Sequence, residues 1–446
     1  MTFVYGILGL GLIVLVHETG HFIAAKIAGV TVEAFSIGMG PVLLHKTIKG
    51  TDFRLSLIPL GGYCAMKGEK AFQDALNNNE SVIKGDPDSF YGVHPLKRAF
   101  IAFFGPFFNV LFAVVSFTVI AMVGYDFYSA DNRVVLATDV YPDMESAAQE
   151  SGIITGDRIL SINGKETPLF TDISQAVAAA PEETLSLVVD RDGTKLNFSV
   201  TTKLDKSTGA GKIGIMNWIE PVVAQVEEDS AAATAGLMEG DRIVSLNGTE
   251  IDNIYKMQKA VQGLNGTFSI EYLRGEKLYA STITLAEGDE FGIYFKTDIH
   301  HTETYWLIPA IWQGIKETVS LTGLTIKSIG LLFKGVDLTQ AVSGPARITK
   351  MIGETAEAGF KAGFRAGVVS VLNFLALISI SLFIMNLLPI PILDGGLILF
   401  ALIEFIRKKQ IKPKVLYYVQ FIGIGIIVIL FIIALFSDIN YFVHAD

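Results

Sequence analysis

Long apolar runs alternate with polar stretches along the chain, and four of the runs are long enough to form transmembrane helices. A helix needs about 20 residues to cross the hydrocarbon core of a bilayer. We assign the four spans to residues 1–30, 99–124, 367–396 and 416–436, the third of which carries a polar motif at its end. The pattern therefore predicts an α-helical polytopic membrane protein with four transmembrane helices.

Residues 131–300 have a different pattern, with short alternating runs typical of β-strands. They contain an internal repeat, because segment 156–164 (GDRILSING) matches segment 240–248 (GDRIVSLNG) at seven of nine positions. The offset of 84 residues is the size of a small domain and is too long for one unit of a solenoid. We therefore predict two inserted β-rich domains, residues 131–217 and 218–300, between the second and third spans.

Both copies resemble PDZ domains, whose signature places Gly-Asp-x-Ile-x-x-Ile-Asn-Gly shortly after a helix. A PDZ groove binds a peptide as an added strand beside a helix, often with the peptide carboxylate on backbone N–H groups. Gly214-Ile215 and Gly292-Ile293 are the candidates for the carboxylate-binding loop of the two PDZ-like domains. The alternative is that the domains are spacers or lids with empty grooves.

The loop between the first two spans, residues 31–98, contains an alternating stretch that ends in Gly61-Gly62-Tyr63. Alternation followed by a Gly-Gly turn predicts a membrane-associated β-hairpin. One hypothesis is that the exposed edge of this hairpin pairs with the backbone of an extended substrate. The other is an ordinary connecting hairpin, and the sequence leaves both open.

Residues 301–366 are apolar but repeatedly interrupted by charge, at Lys316, Glu317, Lys327 and Lys334. No uninterrupted core long enough to span a bilayer remains. We therefore predict amphipathic helices that lie at the membrane interface.

Composition supports a membrane protein and excludes some functions. Half of the residues are apolar and the mean hydropathy is +0.46, which is too hydrophobic for a wholly soluble chain. The formal net charge of −10 argues against nucleic-acid binding. Cys64 is the single cysteine, which excludes an intramolecular disulfide. The N-terminus lacks the basic region of a secretory signal peptide, so we expect the first helix to be retained.

Basic residues near the membrane ends predict the orientation, because cytoplasmic loops carry an excess of Lys and Arg. The loop between the third and fourth spans has five basic residues within 407–414. Five more flank the spans on the first loop, namely Lys26, Lys46, Lys49, Lys97 and Arg98. Both loops are therefore predicted to be cytoplasmic, with residues 125–366 and both termini on the opposite side.

The first span contains an H-E-x-x-H motif in its second half. His17 and His21 are four residues apart on one helix face, where both imidazoles can reach a single Zn²⁺. Glu18 is placed to take a proton from a water molecule at the metal. Ionisable groups within a membrane helix are costly and mark functional sites. The alternative, a chance match on a soluble helix, does not fit the apolar surroundings.

A second motif, residues 386–396 (NLLPIPILDGG), contains two prolines and two glycines that must break the third span. Asp394 lies at this break, at the predicted depth of the two histidines, and is the candidate third zinc ligand. Two histidines and a carboxylate leave a fourth position for water, as in catalytic zinc sites. A simple helix-ending turn is the alternative for this motif taken alone.

In the second span, Gly105 and Asn109 are four residues apart and share one helix face. We interpret this pair as a close contact with a neighbouring helix. A role in positioning the metal site stays open.

The motif 15–21 (LVHETGH), the run 386–395 (NLLPIPILDG) and the PDZ-like region together resemble the site-2 protease family of intramembrane zinc metalloproteases. The two PDZ copies, the Gly61-Gly62-Tyr63 hairpin and the overall length resemble its RseP branch. The resemblance covers nearly the whole chain.

This resemblance implies hydrolysis of a peptide bond in the transmembrane segment of a single-pass membrane protein whose periplasmic side has already been trimmed. The implied substrates are anti-sigma factors such as RseA, in regulated intramembrane proteolysis of the envelope stress response, and remnant signal peptides. The implied location is the bacterial inner (cytoplasmic) membrane, with a periplasmic PDZ region and an active site in the cytoplasmic half of the bilayer. The PDZ pair would act as a size filter, and the hairpin would hold the unfolded substrate strand.

The resemblance also implies roles for single residues. One catalytic Zn²⁺ would be bound by His17, His21 and Asp394, with Glu18 as the general base. Asn386 would contact the substrate or stabilise the tetrahedral oxyanion.

Two positions depart from the family pattern. Leu397 stands where a histidine is common, and Ser381 stands where an asparagine is common. Neither is one of the three implied ligands, so the departures bear on substrate clamping and on groups that support the ligands.

Two other classes of function compete with proteolysis. A membrane receptor would bind envelope peptides through its PDZ-like domains, with zinc structural or absent, but a structural site would need no base such as Glu18. A metal transporter would carry ionisable residues along the membrane path, whereas the second and fourth spans contain almost none.

Overall fold

The computed structural model of the chain describes residues 1–262, 266–285, 291–331 and 343–443. The chain divides into two compact units. The first unit contains Met1–Tyr125 and the chain from Thr302 onward, and the second is Asp126–His301.

The secondary structure elements are numbered here in chain order. The helices are α1 (Thr2–Ala28), α2 (Glu69–Asn77), α3 (Pro95–Val123), α4 (Ala137–Val140), α5 (Ala147–Glu150), α6 (Phe170–Ala178), α7 (Ala231–Thr234), α8 (Ile254–Val261), α9 (Leu307–Leu331), α10 (Pro345–Lys361), α11 (Phe364–Leu387), α12 (Asp394–Arg407) and α13 (Pro413–Val443). The strands are β1 (Val32–Ile48), β2 (Thr51–Met66), β3 (Asp126–Tyr128), β4 (Val134–Leu136), β5 (Arg158–Ile162), β6 (Lys165–Glu166), β7 (Thr184–Arg191), β8 (Thr194–Thr201), β9 (Lys203–Leu204), β10 (Gly211–Lys212), β11 (Ile215–Asn217), β12 (Val223–Val226), β13 (Arg242–Leu246), β14 (Thr249–Glu250), β15 (Gly266–Arg274), β16 (Lys277–Leu285), β17 (Ile293–Phe295) and β18 (Ile299–His301).

Among the described residues, four helices are long and apolar enough to cross a membrane, namely α1, α3, α11 and α13. This agrees with the four spans expected from the sequence. The helices extend beyond the apolar runs, so that α3 begins at Pro95 rather than at residue 99. Proline is favoured in the first turn of a helix because that turn has no partner for its N–H. His94 caps the same turn, since its side chain accepts the Leu96 N–H.

Close packing in the first unit depends on small residues where helix backbones meet. Gly20 of α1 lies against the Phe104 carbonyl and Gly105 of α3, where an added Cβ would overlap the backbone. Gly6 of α1 meets Thr349 of α10 in the same way. Small residues allow this approach and are typical of helix contacts in membranes. The contact at Gly20 brings the metal motif of α1 to within side-chain reach of α3.

The third span is interrupted where the sequence predicts a break. Helix α11 ends at Leu387, and α12 begins at Asp394 after a short non-helical segment. Ile392 in this segment has a positive φ of 91°, which a β-branched residue rarely adopts. Gly395 and Gly396 pack directly on the carbonyl oxygens of Leu387, Leu388 and Ile390, leaving no room for a side chain. The glycines therefore allow α12 to fold back against the break.

Helix α9 lies along α3 rather than apart from it. The Tyr305 N–H, just before α9, donates to the Ala121 carbonyl, and Gly314 contacts Val114 and Thr118. Further along α9, Leu321 and Ile329 pack on a buried cluster from α3 and α11. The position of residues 301–366 at the membrane interface stays a prediction, and residues 332–342 within it lie outside the described residues.

Strands β1 and β2 form a twisted sheet rather than a simple hairpin. Residues 34–37 pair with 62–65 on one side and with 52–55 on the other, while 42–48 pair with 51–56. Residues 62–66 therefore form one edge of the sheet. Several apolar side chains of the sheet are exposed, for example Leu43, Leu44 and Leu57. Such a surface is compatible with contact to lipid.

The second unit contains two copies of one fold. The strand order β6-β5-β7-β8 in the first copy recurs as β14-β13-β15-β16 in the second. Each copy has its own buried core, one from residues between 134 and 213 and the other from residues between 223 and 285. The division expected from the sequence at 217/218 falls between these two cores.

The repeated Gly-Asp-Arg-Ile motif has the same structural role in both copies. Asp157 is 1 % exposed and accepts two hydrogen bonds of 2.8 Å from Arg191. Asp241 is 0 % exposed and accepts the same pair of bonds, also of 2.8 Å, from Arg274. The carboxylate partner raises the pKa of both guanidinium groups. Each ion pair therefore connects the start of β5 or β13 to the end of the neighbouring strand, β7 or β15.

Replacing one of these aspartates should destabilise only its own copy. Asp157→Asn leaves Arg191 without its carboxylate, and losing a hydrogen bond to a charged group costs about 1.5 kcal/mol. We expect amide hydrogen exchange in the full chain to become faster in β5–β8 and to stay unchanged in β13–β16. Asp241→Asn should give the opposite result and serves as the reciprocal control. Equal protection in both variants would contradict the assigned role.

Candidate active site

Three potential metal ligands from distant parts of the sequence converge in the first unit. His17 and His21 extend from α1, and Asp394 is the first residue of α12. The His17 Nε2 atom lies 3.2 Å from the His21 Nε2 atom and 3.2 Å from Asp394 Oδ2. The His21 Nε2 atom lies 3.3 Å from Asp394 Oδ1. The structure thus brings together all three residues expected to bind the metal.

The separation of these donor atoms fits a tetrahedral zinc ion. Zinc bonds of about 2.0–2.1 Å to nitrogen and oxygen at tetrahedral angles place two donors about 3.3 Å apart. The two Nε2 atoms are 3.2 Å apart, and each lies within 3.3 Å of one of the two Asp394 carboxylate oxygens, which is close to this value. Three protein donors leave a fourth position, which is the arrangement of catalytic rather than structural zinc sites.

Each imidazole is oriented by a contact to α3 through its other nitrogen. The Nδ1 atom of His21 lies 2.9 Å from the carbonyl oxygen of Ile101, to which its N–H can donate. The Nδ1 atom of His17 lies 3.2 Å from Nδ2 of Asn109, a residue that is 0 % exposed. Such contacts fix the ring nitrogen that faces a metal.

The amide of Asn109 can complete this arrangement. Its Oδ1 atom is buried and has no hydrogen-bond partner among the described residues. Rotation of the amide by 180° exchanges Oδ1 and Nδ2, after which Oδ1 accepts the Nδ1 proton of a His17 ring that binds metal through Nε2. The unpartnered oxygen is therefore explained by the donor set expected for zinc.

Gly105 and Asn109 are the residues whose role the sequence left open. An added Cβ at Gly105 would overlap the His21 ring, so only glycine leaves space for that side chain. Because α1 and α3 run antiparallel, His21 faces Gly105 and His17 faces Asn109. The signal that could have identified the pair is its four-residue spacing, which equals the spacing of the histidines on the facing helix.

Glu18 lies beside the edge of the β1–β2 sheet. An added Cβ on Gly62 would lie 3.4 Å from Cγ of Glu18 and 2.8 Å from the Ser36 carbonyl oxygen. The backbone amide of Cys64 hydrogen-bonds the Glu18 carboxylate. The sheet edge 62–66 is therefore next to the candidate general base.

Tyr63 and Gly61, the other residues of the predicted hairpin site, make contacts within the β1–β2 sheet. The Tyr63 hydroxyl accepts a hydrogen bond of 3.0 Å from Arg54. Gly61 has a positive φ of 108° and packs against the Met39 side chain. Burial raises the pKa of the Cys64 thiol to about 12, so this side chain stays a neutral thiol next to the site.

Asn386 lies in the last turn of α11, before the break that separates it from Asp394. It is partly buried. Its predicted role in substrate contact stays a prediction. At the two departures from the family pattern, the Ser381 hydroxyl donates to the Leu377 carbonyl within its own helix, and Leu397 lies in the first turn of α12.

The predicted carboxylate-binding residues lie at equivalent points of the two copies in the second unit. Gly214 has a φ of +74° and its carbonyl accepts the Ala137 N–H. Gly292 also has a φ of +74°, and its carbonyl accepts the Glu227 N–H. Ile215 and Ile293 begin the strands β11 and β17 that follow.

The first copy has a groove beside this strand. A cavity of about 640 Å³ lies between β11 and α6. Its apolar lining includes Phe170, Ile173, Val177, Ile213 and Ile215. Strand β11 is antiparallel to β4. The Trp218 N–H donates to the Arg133 carbonyl, so the backbone groups of residues 214, 216 and 218 are directed towards β4. The polar backbone groups of Ile215 and Asn217 therefore face the other edge of β11.

Comparison with known proteins identifies the family of the chain. Residues 5–430 match the model of peptidase family M50. A Treponema pallidum protein named as a zinc metalloprotease is 40% identical over 447 residues, which is 99% of each chain. The regulator of sigma-E protease RseP of Escherichia coli is 32% identical over 465 residues, and the regulator of sigma E protease of Haemophilus influenzae is 31% identical over 456 residues. Both of these matches cover 97% of each chain.

The family match extends over the metal motif, both copies of the repeat and the break before Asp394. The geometry of the three donor residues and Glu18 fits a zinc metalloprotease, which is the name of a relative that the chain resembles. The chain therefore belongs to peptidase family M50, the site-2 protease family of zinc metalloproteases, and to its RseP branch.

Proposed function

We propose that this protein hydrolyses a peptide bond within the transmembrane segment of a single-pass membrane protein, using one Zn²⁺ held by His17, His21 and Asp394. The observation that carries the proposal is the convergence of the three donors, 3.2–3.3 Å apart, with Glu18 on the same helix as the two histidines. Zinc bound there supplies a Lewis acid and lowers the pKa of water.

The protein groups around this position carry the proton transfers. Glu18 removes a proton from the attacking water as general base, and then delivers it to the leaving amide nitrogen as general acid. Ile101 and Asn109 hold the two imidazoles in the orientation in which their Nε2 atoms can bind the metal. The Cys64 amide holds the Glu18 carboxylate next to the sheet edge.

The sheet edge supports a role in presenting the substrate. A transmembrane helix has its carbonyl groups engaged in its own hydrogen bonds, so the segment must unwind before cleavage. An extended segment can pair with the free backbone groups of a strand edge. Residues 62–66 are an edge of the sheet next to Glu18, and the Cys64 N–H on this edge bonds the Glu18 carboxylate. Gly61, Gly62 and Tyr63 therefore belong to the proposed substrate-binding surface, and Asn386 is proposed to contact the same segment.

The named relatives support a proposal for substrate class. Several have the name regulator of sigma-E protease. We infer that the substrates are anti-sigma factors similar to RseA, after first-site cleavage of the periplasmic part, together with remnant signal peptides. The protein would then act in regulated intramembrane proteolysis of the envelope stress response.

The orientation follows from the basic loops. Residues 407–414 and the bases near the first two spans favour a cytoplasmic position for both loops. We infer a multi-pass protein of the bacterial inner membrane, with the active site in the cytoplasmic half of the bilayer and the repeated domains in the periplasm.

The two repeated domains are proposed to be PDZ domains that control access. The first groove offers an apolar cavity beside a strand edge, which is the arrangement that strand addition requires. A peptide end produced by first-site cleavage is a ligand of the right form. Exclusion of untrimmed substrates by size is the second role that fits two domains placed between spans.

Glu18→Gln should abolish cleavage without removing the metal. The amide cannot accept the proton of the attacking water, and loss of a general base lowers the rate by about 10²–10⁴-fold. The assay measures cleavage of a membrane-embedded substrate in detergent, together with zinc per chain. The exposed Glu33→Gln serves as the matched control and should retain activity. Undiminished cleavage by Glu18→Gln would exclude this residue as the base.

Asn109→Leu should weaken zinc binding by about 10–100-fold, the usual effect of losing a group that orients a metal ligand. The measurement is zinc retention against a chelator of known affinity, at several chelator concentrations. Ser116→Ala on the same helix is the matched control, because its buried hydroxyl has no partner among the described residues. Equal zinc affinity in Asn109→Leu and the unmodified protein would contradict the positioning role.

A further inference from the structure

A cavity lies where α3 begins and α12 ends, at the end of α12 opposite Asp394. We name it the α3–α12 cavity and define it by Tyr91, His94, Arg98, Phe405, Lys408 and Lys409. Its volume is about 450 Å³. The proposed proteolytic function uses none of these residues.

A buried ion pair forms one wall of this cavity. Arg98 is 6 % exposed and Glu404 is 3 % exposed, and their side chains are hydrogen-bonded. The second oxygen of Glu404 accepts the Ile411 N–H at 2.8 Å, so this carboxylate is fully engaged. The Nε atom of Arg98 is buried and has no partner among the described residues. A buried N–H donor without an acceptor is costly, and Arg98 lines the cavity, from which a bound oxygen atom can supply the acceptor.

The net charge around the cavity is positive. Arg98 and Glu404 cancel each other, which leaves Lys408 and Lys409 as cations of the lining that form no ion pair with the described residues. The lining therefore favours an anion such as a phosphate group, which lysine ammonium groups bind as point charges.

The surroundings of the cavity favour a lipid over a soluble anion. Apolar side chains beside it are exposed, namely Leu96, Phe405 and Ile406. They lie where each helix passes from an apolar interior to basic residues, which is the pattern expected at the level of lipid headgroups. A phospholipid satisfies both parts of this surface, because its phosphate meets the cations and its glycerol and acyl groups meet the apolar side chains.

We propose that the α3–α12 cavity binds the phosphate headgroup of an anionic phospholipid. The bound headgroup bridges the start of α3 and the end of α12. Helix α3 carries Asn109 and Gly105, and α12 begins with Asp394. The lipid therefore braces the two helices that complete the metal site around α1.

The test compares two double variants of the full chain that lose the same charge. Lys408→Gln with Lys409→Gln removes the cations of the cavity, whereas Lys412→Gln with Lys414→Gln removes two exposed cations outside its lining. Each protein is reconstituted in nanodiscs of phosphatidylcholine with increasing phosphatidylglycerol. Native mass spectrometry then measures how many phosphatidylglycerol molecules stay bound after release into detergent. Zinc content and circular dichroism check that the fold is retained.

The unmodified protein and the Lys412/Lys414 variant should each retain one phosphatidylglycerol in preference to phosphatidylcholine. The Lys408/Lys409 variant should lose at least tenfold in this preference. Equal loss in both variants would show general attraction to the basic loop and overturn the proposal. Displacement of the retained lipid by millimolar inorganic phosphate would also overturn it, because the cavity would then be a site for free phosphate.

Discussion

The structure of the membrane unit depends on holding two imidazoles and a carboxylate together among apolar helices. Polar groups removed from water are costly unless each finds a partner. Asp394 faces both His17 and His21, and the outer nitrogens of the rings reach Asn109 and Ile101. Each imidazole of the cluster is thus fixed on two sides. The close contacts at Gly20 and Gly105 are required because the rings occupy the space between α1 and α3.

The donor set was predictable because local motifs specify it. The spacing of His17 and His21 places both on one helix face, and prolines and glycines around Asp394 require a break in the third span. Once both motifs are assigned to one depth of the membrane, the two histidines and Asp394 are expected to lie close together. The sequence did not fix the role of Asn109, since which face of α3 meets α1 depends on packing between the helices. The sheet formed by β1 and β2 was also predicted only in part, because the pairing of 34–37 on both sides is a long-range feature.

The repeat in the second unit illustrates the difference between a structural and a functional motif. The recurring aspartate forms a buried ion pair, and the Asn-Gly turn at the end of each motif adopts positive φ at both residues. These requirements account for the shared aspartate and the shared Asn-Gly turn of the two segments. The residues that line the first groove lie outside the repeated segment. The two copies can therefore share one fold and still differ in what they bind.

The approach of the sheet edge to Glu18 is the point where fold and chemistry restrict each other most. A side chain on residue 62 would collide with the Ser36 carbonyl oxygen and fill the space next to the carboxylate. Glycine keeps this space open, so a substrate strand can place a carbonyl group there through backbone pairing alone. Backbone pairing is indifferent to side chains, and selection among membrane proteins must then arise elsewhere. Under the proposed function, the unwinding tendency of the substrate helix is a step at which this selection can act.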